Sequence, residues 1–249
     1  MPFTPLATTS LDGVTELSFT VNEIPGVLWT PPQVSGPRPL ILMGHGGGQH
    51  KKVPGIAHRA VRFAAEGGFA VAAIDAPDHG DRPKDPAFSR AAGDLRTAMA
   101  AGGDVLALVV AMHELLAGPA VADWQAVITA LQQQPSVGTG PVGYWGLSMG
   151  AGLGVPLVAA EPRIRAAVVG LLGLTGLAGI APQVTVPVQF LLQWDDELVP
   201  RDQGLALFDA LGSAEKTLHA SPGPHGQVPR FETDEALRFF ARHLTLTAT

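Results

Sequence analysis

The residues Gly146-Leu147-Ser148-Met149-Gly150 match the pattern G-x-S-x-G, which places a serine on a sharp turn between a strand and a helix. The two glycines let the turn close, because any larger side chain would collide with the strand and helix that it forces together. Such a turn projects the serine hydroxyl outward and aims the first N–H groups of the helix at the same space. In a chain with 30 glycines the pentapeptide alone is weak evidence. Its setting strengthens it, since the apolar run of PVGYWGL precedes the serine and the small residues of MGAGLG follow it.

A serine hydroxyl becomes a nucleophile when a histidine takes its proton and a carboxylate orients the histidine. After an elbow of this kind the acid comes next along the chain and the histidine last. Of eight histidines only His219, His225 and His243 lie far enough downstream. His219 falls within a strand pattern and His243 near the end of a terminal helix. His225 stands in SPGPHGQVP, a Gly/Pro loop just past a strand, where reactive groups of open sheets gather. The loop LTGLAGIAPQV carries no carboxylate, whereas VPVQFLLQW is followed by Asp195, Asp196 and Glu197 and then Val199-Pro200. The acid is therefore expected within this triplet. Spacing does not separate Asp195 from Asp196, although neighbouring side chains in an extended loop point in opposite directions.

The oxyanion of an acyl-transfer intermediate needs two donors. One is expected from the backbone N–H of Met149 and the other from the glycine loop His45-Gly46-Gly47-Gly48. That loop is no phosphate cradle, because Gln49-His50-Lys51-Lys52 lacks the closing G-K-[ST]. His45 reads as a brace for the loop. Asp78, His50, His79 and Arg82 stand where the mouth of a cleft would be, each either a substrate contact or a solvated loop residue. Trp145 and Trp194, beside the serine and the acid, read as core or pocket wall. No histidine spacing suits a metal, and neither metal nor cofactor is expected.

These groups need a scaffold, and the chain alternates short apolar runs with amphipathic stretches, the pattern of βα units around a mainly parallel sheet. LSFTV and GVLWTPP read as an antiparallel pair, and 39–44, 69–77, 164–173 and 186–194 as buried strands. EKTLHASP reads as a last strand. Helices are expected over 55–66, from about Asp104 to Leu131 with a break near Gly118-Pro119 and Asp123 capping the second part, over 201–211, and in DEALRFFARHL. The segment 78–103 is an excursion with room for a loop and a short helix. Only about a dozen residues lie between the strand ending near Gly173 and that starting near Val186, so no cap domain is expected there.

A chain of 249 residues with 46% hydrophobic content suits one α/β domain over 1–249. A charged fraction of 15% and a net charge of −6 leave no basic stripe for nucleic acid. The absence of cysteine excludes disulfides, thiolate zinc sites and a cysteine nucleophile together. MPFTPLATTSLDG lacks the basic start and apolar stretch of a signal peptide, and no uninterrupted apolar run reaches the roughly 18 residues of a membrane span. A soluble cytoplasmic protein, monomer or homodimer, acting on a small-molecule substrate is the expectation.

From about Ile24 to its end the sequence resembles the α/β-hydrolase superfamily, in its dienelactone-hydrolase-like and small-esterase branch. The likeness rests on IPGVLWTP before PLILMGHGGG, DAPDHGDR, GLSMG, DDELVP and PHG. It implies the α/β-hydrolase fold, a mainly parallel sheet of about eight strands flanked by helices without a large cap domain. It also implies carboxylic ester hydrolysis through an acyl-enzyme on Ser148 with His225 as base. In that family two variable residues and then Val-Pro commonly follow the acid, which falls on Asp196. The H-G-x pattern assigns the second oxyanion donor to Gly47, with Gly48 beside it. Ser148 replaces the cysteine of true dienelactone hydrolases, so the resemblance carries the fold and not a lactone substrate.

Overall fold

The computed structural model describes residues 2–31, 36–103 and 105–245. Its elements run β1 (Phe3–Leu11), β2 (Val14–Val21), β3 (Ile24–Thr30), β4 (Leu40–Gly44), α1 (Pro54–Gly67), β5 (Ala70–Ile74), α2 (Pro86–Ala100), α3 (Leu106–Leu131), β6 (Val142–Leu147), α4 (Met149–Ala160), β7 (Ile164–Gly170), β8 (Val188–Gln193), α5 (Arg201–Ala210), β9 (Lys216–Ser221) and α6 (Glu232–His243). The strands form one sheet in the order β1-β2-β3-β5-β4-β6-β7-β8-β9. From β5 to β9 every pairing is parallel, and β1 to β3 join as an antiparallel meander onto β5.

The sheet has nine strands where about eight were expected. The additional one is β1, whose residues are mostly exposed and so lack the apolar signature of the others. Its turn was legible, since Asp12-Gly13, both at positive φ, is a hairpin signal that joins β1 to β2.

Strands β4 to β8 are buried on both faces because helices cover each side. Ile41, Met43, Trp145, Phe63 and Phe240 pack on the face covered by α1 and α6. Leu42, Tyr144, Trp124, Val127, Val155 and Leu207 pack on the face of α3, α4 and α5. This two-sided burial is what a continuous apolar strand requires.

The excursion differs from expectation. Rather than a short helix it holds the 15-residue α2, capped by the Asp85 side chain on the Ala87 amide at 2.6 Å. The expected break near Gly118-Pro119 is absent, and α3 runs unbroken for 26 residues with Pro119 inside it. Pro119 frees the carbonyl of Leu115, which lies on an exposed turn where water can bond it, while Leu116, Ala120 and Trp124 anchor both halves. Asp123 is consequently no N-cap. It lies inside α3 and pairs with Arg82 at 2.7 Å. Asp104, the expected start of this helix, lies outside the described residues. Among the described residues α3 is also long and apolar enough to cross a membrane by length and composition, contrary to the expectation that no segment would be. In this fold its C-terminal half is core, with Val127, Ile128 and Leu131 fully buried.

Candidate active site

Strand β6 delivers Ser148 to the end of the sheet at φ 55 and ψ −124, a strained conformation for a residue with a side chain. The surroundings impose it. The Ser148 amide donates to Gly170 O at 3.0 Å, and its carbonyl accepts from Ala151 and Gly152 at 2.9 Å as α4 begins. A Cβ on Gly146 would stand 2.7 Å from Gly150 O, and one on Gly150 2.6 Å from Gly44 O, so both glycines are obligatory. Tyr144, the only tyrosine and fully buried, braces the elbow by donating its hydroxyl to Gly150 O at 2.5 Å. Burial pushes its phenol further up, so it remains a donor.

The structure brings together Ser148, His225 and Asp196, from three separate loops. His225 Nε2 lies 2.9 Å from Ser148 Oγ, and His225 Nδ1 lies 2.7 Å from Asp196 Oδ2. With Nδ1–H donating to the carboxylate, Nε2 is left to accept from the serine hydroxyl. The Asp196 side chain is almost fully buried. Burial alone would raise its carboxyl, but the His225 hydrogen bond and the amides of Val199 and Leu198, which donate to Oδ1 at 2.9 and 2.8 Å, hold it below the usual carboxylate range.

The other two acids of the triplet hold the histidine loop instead. Asp195 Oδ2 accepts from the Gly223 amide and Glu197 Oε2 from the His225 amide, both at 2.9 Å. Sequence reasoning missed Gln193, whose Nε2 donates to the carbonyls of Pro222, Pro224 and Gln227 at 3.1 to 3.3 Å. A glutamine ending a mostly apolar strand just before the acidic triplet was its signal.

Gly47 lies beside the elbow, its missing Cβ 3.9 Å from Met149 Cβ. Met149 opens α4, so its N–H has no helical carbonyl to bond. In the glycine loop the Gly46 amide is taken by Gln49 Oε1 at 3.1 Å, and the Gln49 amide returns to Gly46 O at 3.2 Å. The Gly47 amide takes part in neither bond, and Gly48 turns the chain at φ 69. His45, 2% exposed, accepts the Ala76 amide at Nε2 (3.1 Å) and bonds Gly46 O through Nδ1 (2.9 Å). Burial lowers its pKa to about 4, so it is a neutral brace. A second brace also escaped sequence reasoning. Buried Asp75 accepts the Lys51 amide (2.8 Å), Lys51 Nζ (2.7 Å) and the Asp81 amide (2.9 Å), joining the glycine loop to the loop after β5.

The residues expected at the mouth fare unevenly. His50 is exposed and accepts the Lys52 amide at 3.2 Å. His79 faces inward, 7% exposed, its ring against those of His45 and Phe88. Arg82 is committed to Asp123, and Asp78 to the amide of Asp85. Trp194 is 48% exposed with the Arg201 guanidinium 4.1 Å above its ring, whereas Trp145 is buried beneath Arg59. His219 pairs with Glu232 at 2.8 Å and lies outside this constellation.

No protein-family profile and no curated protein matches the chain. Solved structures do. A PEG-bound cold-adapted esterase from an Arctic intertidal metagenomic library is 36% identical, with 96% of this chain and 97% of that one covered and a TM-score of 0.77. Acetyl xylan esterase 1 from Thermoanaerobacterium sp. JW/SL YS485 is 16% identical over 96% and 87% of the two chains, with a TM-score of 0.69. TT1662 from Thermus thermophilus is 20% identical over 94% and 99%, with a TM-score of 0.68. The last two share the fold alone, but the first matches at an identity that common ancestry explains over nearly the whole of both chains, and the chain belongs to the esterase family of the α/β-hydrolase superfamily.

Proposed function

We propose that this protein is a serine hydrolase that cleaves carboxylic esters of small molecules through an acyl-enzyme on Ser148. The observation that carries this reading is the unbroken line of hydrogen bonds from Asp196 to His225 to Ser148, at 2.7 and 2.9 Å. His225 Nε2 takes the hydroxyl proton as Ser148 Oγ attacks the ester carbonyl. The carbonyl oxygen becomes an oxyanion held by the amides of Met149 and Gly47. The imidazolium formed is stabilised by ionised Asp196, and it returns its proton to the departing alcohol. Water, deprotonated by the same imidazole, then attacks the acyl-enzyme, and the imidazolium returns that proton to Ser148 Oγ as the intermediate collapses to the carboxylic acid and free enzyme.

The reading is tested by rapid mixing with p-nitrophenyl acetate. It predicts a burst approaching one equivalent of p-nitrophenol per active site wherever deacylation is slower than acylation. It also predicts hydroxylamine-trappable acyl-enzyme on Ser148, with neither burst nor adduct in Ser148→Ala. Turnover by Ser148→Ala at the wild-type rate contradicts it.

A further inference from the structure

One polar side chain beside the elbow has no role in the chemistry above. Helix α3 crosses the start of α4, with Leu116 and Ala120 packed against Met149 and Leu153 and Val110 against Gly176. At the crossing the His113 ring lies directly on Gly152, where a Cβ would stand 2.5 Å from Nδ1. Gly152 is one helical turn beyond Ser148 and donates its amide to the Ser148 carbonyl at 2.9 Å. That bond sets the Gly152 backbone beside the Ser148 carbonyl. The absent side chain of Gly152 thus makes room for an imidazole close to the nucleophile.

His113 is half-buried and has no hydrogen-bond partner among the described residues. Burial lowers its pKa to about 4, so at neutral pH it offers one donor and one acceptor with no charge. Its neighbours one turn away on α3, Val110 and Leu116, are apolar.

The side of the cleft is set by the chemistry. The leaving oxygen must reach His225, whose loop packs through Val228 on the α1 and α6 face of the sheet. Helix α3 covers the opposite face. The alcohol is therefore expected on the His225 side, and α3 stands on the side left for the acyl chain.

We propose that His113 is a specificity-determining residue of the acyl pocket, hydrogen-bonding a hydroxyl or oxo group on about the third carbon of the acyl chain. This rests on the assignment of Ser148 as nucleophile. The test compares p-nitrophenyl 3-hydroxybutyrate with its isostere p-nitrophenyl 3-methylbutyrate, in the wild type, His113→Phe, His113→Met and His113→Gln. The ratio of kcat/KM for the hydroxy ester over the methyl ester is predicted to fall about tenfold in the Phe and Met variants, with the methyl ester turned over as before, and to be partly restored in Gln. A ratio unchanged in folded Phe or Met variants overturns the proposal, as does an equal fall on both esters, which marks a packing role. Ser148→Ala run alongside separates the two readings: its full activity would remove the nucleophile assignment, while the ratio still decides His113.

Discussion

Three adjacent carboxylates find three different partners because the tight turn that carries them, closed by the Leu198 and Val199 amides on Asp196 Oδ1, points each a different way. Asp196 turns inward to the ring of His225, while Asp195 and Glu197 hold the loop that carries it. Asp196→Asn is therefore expected to lower kcat/KM for a short ester about a thousandfold or more, by presenting the wrong hydrogen-bonding partner to Nδ1. Asp195→Asn should cost less than about tenfold, since an amide oxygen can still accept from Gly223. The opposite ranking in folded variants would move the acid. Sequence spacing left this choice open, and only family resemblance favoured Asp196. His79 and Arg82 show the converse limit, because a loop residue's type does not say whether it faces a cleft or turns back on its own loop. His45 carries a prediction about stability. Its pKa of about 4 lies below the ordinary 6.5, so the unfolded chain binds more protons between those values. Its contribution is complete above about pH 6.5 and is lost as pH falls toward 4, on the order of 3 kcal/mol in all. Urea unfolding at pH 7 and 4.5 should show a smaller pH-dependent loss in His45→Gln than in the wild type, and an unchanged loss would contradict the neutral brace.

At the scale of elements, the strand-to-helix elbow was legible because its glycines answer a local steric demand that any chain must meet. The order of strands and helices was legible for a similar reason, as two-sided burial writes itself into apolar runs. What escaped depended on partners distant in sequence. Helix α3 persists through Pro119 because packing on either side outweighs one lost backbone bond, which helix-breaking rules do not weigh. Gln193 matters only because β8 ends beneath the histidine loop, where it takes three carbonyls of that loop at once. Replacing it by Met should free the loop, lowering kcat about tenfold with little change in KM and lowering Tm by several degrees. Wild-type kcat in Gln193→Met would show that Asp195 and Glu197 hold the loop unaided.

For the whole molecule, the sheet gathers residues from positions 47 to 225 at the ends of its central strands, and α3 passes beside them. Phe88 of α2 and Leu116 and Ala120 of α3 pack with Met149 on one side of the elbow, Leu171 and Leu172 after β7 lie with Asp196 on the other, and no separate domain stands over them among the described residues. An ester series from acetate to palmitate is expected to give its highest kcat/KM at short chains, without a rate jump at an emulsion surface. A long-chain optimum with interfacial activation would make α2 and α3 a true lid. The central claim concerns one oxygen atom, and intact-mass analysis after a fluorophosphonate probe tests it most directly. One adduct per chain, mapped to Ser148 and absent from Ser148→Ala, is the predicted result. An adduct on another residue, or equal labelling of Ser148→Ala, would contradict it.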